Sequence, residues 1–495
     1  MSETNTKTAV TQETTNLHGL RHNYLNFIEV LAQSIGGIAP SATPALVIPL
    51  VYAAALGGTW LVYLFATAVI ILIALNLNTF TKRSASPGSL YEYIVKGLGP
   101  GAGVIAGWAL LLAYLLTASA VYSGFINYAN VLLEYANIHV PFILIGVVGA
   151  AAAWFIAYKD IRLSANLMLV FEGISIVLII ALAVTVLAKH GFSVDTNQLL
   201  LKGSSLTGIG SGLVLAFFSF TCFESAVSLG GEAKKPLKSI PKAVTISALS
   251  VGLFFVLLSY TETLGYIGSK TALNEAAAPL ALLADMNHVG FFGPLISIGA
   301  LVSFWSCFLA CTNAGARILF SLGRNGVLPE FFGDTHKTYK TPFISVSVVA
   351  VLAAAIPSVL IAFGNDLFTI YGWIGTIATF GFLLIYALIS IASPVYLYHE
   401  KELKARNIVL SVISVLLLII PIAGSVIPSV FPVTFPTILF PIIFVLWILI
   451  GGLAFYIRKH HNPVIGENLI KKVDDNHKFY KEVRNTEFNS EAAVE

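Results

Sequence analysis

The sequence predicts an all-α polytopic membrane protein with twelve transmembrane helices. Of its 495 residues, 57% are hydrophobic and only 11% charged, whereas soluble domains carry about 25% charge. Apolar runs of about 20 residues recur, the length that spans a bilayer as helix; a β-barrel would show short alternating segments instead. Lys and Arg collect in alternate loops. The net charge of +3 is too small to point to nucleic acid, so the partners expected are the lipid bilayer and a small solute.

The runs fall near 25–50, 58–80, 101–130, 141–158, 164–188, 208–230, 242–265, 291–320, 342–363, 368–397, 408–429 and 435–457. Span three is long and begins with a separate helix carrying Tyr91 and Tyr93. With a cytoplasmic N-terminus, the inner loops hold 16 Lys and Arg, among them Lys82, Arg83, Lys234, Lys235, Lys401, Lys404 and Arg406. The outer loops hold 3: Lys189, Lys202 and Lys270. The positive-inside rule then places both termini in the cytoplasm, and the expected location is the plasma membrane. Residues 1–23 read as a disordered tail, because Met1 to Asn16 is polar and lacks the basic and apolar regions of a signal peptide. The charged tail over 458–495 reads as solvated.

Enzyme chemistry has little to work with. None of the ten histidines falls inside a predicted span, and HExxH, P-loop and Gly-x-Ser-x-Gly motifs are missing. The three cysteines, Cys222, Cys307 and Cys311, lie in apolar runs without zinc spacing. No catalytic residue, metal or cofactor is expected.

Two spans are interrupted. Span six runs through Phe218, Ser219, Phe220 and Thr221 to Glu224 and ends at Gly230-Gly231 before Lys234 and Lys235. A carboxylate inside a membrane segment costs about 2.5–3.5 kcal/mol on insertion scales and is a functional hypothesis by default. Span one carries Gly36, Gly37, Pro40 and Pro44 around the small polar cluster Ser41, Ala42, Thr43. Proline removes an N–H and disfavours helix in the residue before it. Unwound backbone is tolerated in a membrane where it lines a cavity. The half-helix beginning after a break offers N–H groups and positive dipole to a carboxylate, and the half ending there offers carbonyls to an ammonium. Breaks at matching places of two repeats point to a transporter site. Here they lie five spans apart, which predicts repeats over 24–188 and 208–397 with a further pair over 405–457. Five is odd, so the second repeat inserts upside down.

Three segments resemble the amino acid–polyamine–organocation transporters. They are SPGSLYEYIVKGLGPGAGVIAGW ending at Trp108, ESAVSLGGEAKKPLKSIPKAV from Glu224, and RILFSLGRNGVLPEFFGDTHKTYKTP from Arg317. The resemblance implies two inverted five-helix repeats plus two extra helices, and secondary active transport of amino acids or related amines by alternating access. It places Gly36, Gly37, Ser41, Ala42 and Thr43 around a substrate carboxylate, and Phe218 to Thr221 around the amino group and side chain. Phe218 matches a bulky aromatic that closes over substrate in related exchangers; ordinary core contact is the other reading. Glu224 matches an acidic position that either reads substrate or ties span six to its neighbours. Thr312 and Asn313 on span eight join the possible lining, and Tyr371 and Trp373 on span ten are gate or belt aromatics. Two departures stand out. The family's Gly-Ser-Gly or Gly-Thr-Gly signature is replaced by Ala39-Pro-Ser-Ala-Thr-Pro44. Where several relatives carry a span-five lysine, this chain has Glu172, which either titrates in proton coupling, holds a cation, or is a buried hydrogen-bonded carboxyl. An exchanger, a polyamine carrier and, from another class, a channel are the alternatives.

Overall fold

A computed structural model of the chain describes residues 24–85, 89–159, 161–426 and 435–492. The tail expected over 1–23 and residues 86–88 of the link before span three lie outside these. The first interrupted span consists of α1 (Phe27–Ile38), a π-type turn (Thr43–Val47) and α2 (Ile48–Ala55). Asn26 and Glu29 form a reciprocal capping box at its start, satisfying two N–H groups that a helix start leaves open. After a turn at Leu56 come α3 (Thr59–Thr81), α4 (Ser89–Leu98), α5 (Pro100–Tyr135), α6 (Phe142–Lys159) and α7 (Ile161–Lys189). The short α8 (Thr196–Leu199) precedes α9 (Leu206–Ser219) and a 3-10 turn, Ser225–Leu229. Then follow α10 (Pro236–Gly265), α11 (Pro279–Met286), α12 (Phe292–Arg324), α13 (Phe343–Ala362), α14 (Leu367–His399), α15 (Ala405–Val426), α16 (Leu439–His461) and α17 (Ile465–Ala492).

Ten stretches among the described residues are long and apolar enough to cross a membrane, with Phe27–Thr81 taken as one. As unbroken helix its 55 residues would be about 80 Å long, over twice the hydrocarbon thickness. The break after Ile38 and the turn at Leu56 divide it. The tenfold repetition of such helices makes this an integral multi-pass membrane protein.

α5 and α12 lie at the centre. α5 packs on α12 and α14, α12 packs on α7, and α3 packs on α10. Glycines let backbones approach at two of these crossings, as membrane packing favours. A Cβ on Gly381 would sit 2.9 Å from the Ala109 carbonyl oxygen, between α14 and α5. One on Gly299 would sit 2.4 Å from Ser175 Oγ, between α12 and α7. At the periphery α16 is pinned by a reciprocal pair: Trp108 Nε1 donates to Trp447 O and Trp447 Nε1 to Trp108 O, both at 2.9 Å.

Span six is interrupted where the polar patch predicts it: α9 ends at Ser219, and only the 3-10 turn Ser225–Leu229 follows before Gly230-Gly231. One expectation changes. The C-terminal tail is not wholly solvated. Ile465, Leu469, Val473, His477 and Tyr480 recur at helical spacing and are buried, so α17 lies with this stripe against α4 and α5. Tyr480 donates to Gly230 O at 3.2 Å, and burial pushes its hydroxyl up to about 12, so it stays a donor at neutral pH. Residues 24 and 25 reach the same end, where both their N–H groups donate to Glu232 O and Arg317 pairs with the Glu232 carboxylate at 2.7 Å.

Candidate functional site

The two interrupted spans meet at their breaks. Ala39 ends α1 in the left-handed region at φ 52°, and Cys222 takes φ 68° just after α9. The chain leaving the span-six break is stitched to the last turns of α1. Ser34 Oγ donates to Phe223 O, and Ser225 Oγ donates to Gln33 O at 3.0 Å. Gly37 is where they touch. An added Cβ there would lie 2.8 Å from Ser225 Oγ and 3.1 Å from Cys222 O. Because one neighbour is backbone, Gly37→Ala is expected to force the breaks apart, at about 1–3 kcal/mol of overpacking. Uptake should fall at least tenfold with a lower melting temperature. Gly452→Ala, whose methyl meets nothing within 4 Å, is the silent comparator.

Beside this contact lies a cavity lined by Gly37, Ala42 and Thr43 from span one and by Phe218, Ser219 and Thr221 from span six. Its space of about 10 Å³ holds roughly one water, so an amino acid enters only if a wall moves. The mobile candidate is Phe218. Its ring meets Tyr371 edge-on at 5.6 Å between centroids, and Gly375 leaves room for it, since a Cβ there would sit 2.7 Å from the ring. Both α1 and α9 end at the cavity, so two sets of terminal carbonyls, each with partial negative charge, converge on it.

Not every residue singled out in the sequence reaches this cavity. Gly36 is buried beside it, and Phe220 packs on Phe255 at 5.2 Å. Thr312 and Asn313 are buried on α12 and are not in the lining. Glu224 is held elsewhere: Tyr114 Oη donates to Oε1 at 2.9 Å and Tyr386 Oη to Oε2 at 2.8 Å, tying span six to α5 and α14. Ser41 N–H, the donor expected for a substrate carboxylate, instead donates to Glu172 Oε1 at 2.8 Å. The Ser41 and Ser303 hydroxyls lie beside the same carboxyl, which is 1% exposed. Trp373 faces Phe440 rather than the cavity.

Sequence reasoning missed five lining residues, Ile38, Ala39, Thr117, Val121 and Cys307, whereas Tyr371, one of its gate-or-belt aromatics, does line the cavity. Thr117 Oγ1 is buried with no hydrogen-bond partner among the described residues. A polar residue in the run LLLAYLLTASAVYSG, one turn from Val121, was the available signal. Cys307 Sγ donates to Gly37 O at 3.1 Å, and Cys311 lies 3.4 Å from Cys222. The three thiols therefore pack the joint behind the cavity. Glu262, on α10, is a further carboxyl overlooked. It is 1% exposed, and neither oxygen has a hydrogen-bond partner among the described residues.

A family profile described as "Amino acid permease" matches residues 29–463. The chain belongs to the amino acid permease family. This permease is 26% identical over 415 residues to the methylthioribose transporter of Bacillus subtilis (strain 168), covering 80% of this chain and 85% of that one. It is 24% identical over 322 residues to the branched-chain amino acid permease BcaP of the same organism, covering 61% of this chain and 68% of the relative. With the low-affinity putrescine importer PlaP of Escherichia coli (strain K12) it shares 28% identity over 309 residues, 59% of this chain and 65% of that importer. The permease is thus a membrane transporter and not an enzyme.

Proposed function

We propose that the permease is a secondary active transporter of zwitterionic amino acids with small apolar side chains, working by alternating access and coupled to protons through Glu172. One observation carries the substrate class. Among the described residues no acidic side chain lines the cavity between the two breaks, so a diamine would find a partner for one ammonium only. Converging carbonyl ends suit that single ammonium, Thr43 and Thr117 hydroxyls suit a carboxylate, and Val121 and Phe218 suit an aliphatic side chain. Among the relatives, the permease for branched-chain amino acids favours the same class.

The repeats are supported by the pattern of packing. Repeat one holds α1/α2, α3, α5, α6 and α7; repeat two holds α9 with its 3-10 turn, α10, α12, α13 and α14. Exchanging the repeats turns the α5–α14 contact into α12–α7, α1–α7 into α9–α14, and α1–α10 into α9–α3. Each of these contacts is present. Splitting Phe27–Thr81 in two and adding α9 gives the twelve crossings. The loop charges support a cytoplasmic location for both termini.

The test is counterflow in proteoliposomes preloaded with unlabelled solute. Labelled valine, leucine or alanine is expected to exchange one for one, and putrescine to be inert. Exchange of putrescine alone would overturn the substrate class, and flux that ignores the internal solute would indicate a pore.

A further inference from the structure

A second cavity lies at the basic end of the bundle, where α3 and α14 end and α15 begins. It measures about 800 Å³. Lys82, Arg83, Lys401, Lys404 and Arg406 line it against a single acid, Glu402. That acid is already engaged, because Arg83 Nε donates to its Oε2 at 3.2 Å while Arg83 Nη1 holds Thr79 O at 2.7 Å. The remaining four cations face the cavity without a carboxylate of their own in its lining.

The start of α15 sharpens the imbalance. A 22-residue helix carries partial positive charge at its N-terminus, where an acidic residue in the first turn is usually stabilising. α15 has none there and places Arg406 in that turn instead, next to Lys404. An anion in the cavity would satisfy the helix end and the side chains together.

The two walls change character in the same direction. On α3, Leu75, Asn78, Thr79 and Lys82 share one face at spacings of three, four and seven, running from apolar to basic. On α15, Arg406, Leu410 and Ile413 do the same in reverse. Leu75 and Ile413 are each 43% exposed, and Ile408, Val409 and Val412 are also exposed. A groove that is cationic at its floor and aliphatic about 10 Å higher along the helices matches a molecule with a charged head and a hydrocarbon tail. Loop lysines that merely obey orientation rules would not need apolar walls rising from a shared concavity. The larger cavity beside α17 makes the contrast, since its lining cations are matched by as many acids.

We propose that this groove binds an anionic phospholipid, with the phosphodiester among Lys401, Lys404 and Arg406 and the first acyl segment between Leu75 and Leu410. Basic pockets between membrane helices recognise lipid head groups by this chemistry.

The test uses the purified full chain in phosphatidylcholine nanodiscs titrated with phosphatidylglycerol, read by native mass spectrometry and thermal shift. The wild type is expected to retain phosphatidylglycerol and to gain thermal stability from it. Lys401→Gln/Lys404→Gln/Arg406→Gln should lose at least tenfold in affinity. The comparator Lys234→Gln/Lys235→Gln/Lys337→Gln, with the same change in charge, should keep it. Should the triple variant fail to fold, Arg406→Gln and Lys401→Gln singly are each expected to weaken retention. Equal retention by wild type and groove variants overturns the proposal, as does an equal loss in the comparator. Stabilisation by inorganic phosphate or glycerol phosphate as strong as that by the lipid overturns it too, because the acyl chain would then be idle.

Discussion

Glu172→Gln is expected to abolish accumulation of substrate driven by a pH gradient while leaving one-for-one exchange intact. The reasoning starts from Ser41 N–H, which donates to Glu172 Oε1. Glutamine keeps an oxygen acceptor at that place, so the break in span one retains its tie and the cavity its shape. What glutamine cannot do is take up and release a proton. One coupled proton makes each pH unit worth about 1.36 kcal/mol, or about tenfold accumulation. For the variant the ratio of internal to external substrate should stay near one at every gradient. A Glu172→Gln protein that still concentrates substrate in proportion to the gradient would remove this residue from coupling. Glu172→Leu adds the control, because it also removes the acceptor and should weaken binding.

Glu224→Ala is expected to be the most destabilising single change at the joint, with little specific effect on substrate selectivity. Its carboxyl accepts from Tyr114 and Tyr386, both buried. Truncation leaves two buried hydroxyls without that acceptor, at about 1–3 kcal/mol each. Glu224→Gln, which offers an acceptor to one tyrosine and a donor to the other, should recover most of the loss in melting temperature. The triple replacement Glu224→Leu/Tyr114→Phe/Tyr386→Phe should also be milder than the single truncation, because removing all partners avoids orphaned groups. If Glu224→Gln instead keeps its melting temperature and raises KM tenfold or more, the carboxylate reads substrate.

Much of this was legible in the sequence, and for identifiable reasons. Apolar length alone locates most crossings, since a membrane helix has nowhere else to satisfy its backbone. The break in span one is written in Ala39-Pro-Ser-Ala-Thr-Pro44, because proline's missing N–H is a local fact. The long span three divides at Gly99-Pro100, and Tyr91 and Tyr93 sit on a separate helix as expected. Which way a side chain turns was not legible. Glu224, Phe220 and Phe218 stand within seven positions of one another, yet only Phe218 reaches the cavity, because irregular backbone after Ser219 has no fixed period from which to read direction. Thr117 was hidden for another reason. A hydroxyl in a membrane helix usually bonds its own preceding turn, as Ser119 does to Leu115 O, and only the packed structure separates the exception. The docking of α17 was overlooked because its overall polarity masks a stripe just one residue wide.

The two breaks share a peculiarity with a wider implication. Each turns on a residue with a side chain, Ala39 at φ 52° and Cys222 at φ 68°, where glycine would sit without steric penalty. The left-handed conformation costs such residues about 1–2 kcal/mol, and glycine would return about 0.4–1 kcal/mol of that as extra freedom in the unfolded chain. The net preference for glycine at each elbow is therefore about 0–1.6 kcal/mol. What the side chain adds is stiffness: a methyl or thiol there narrows the angles through which the joint can swing. The protein is built like a hinge with a tight pin.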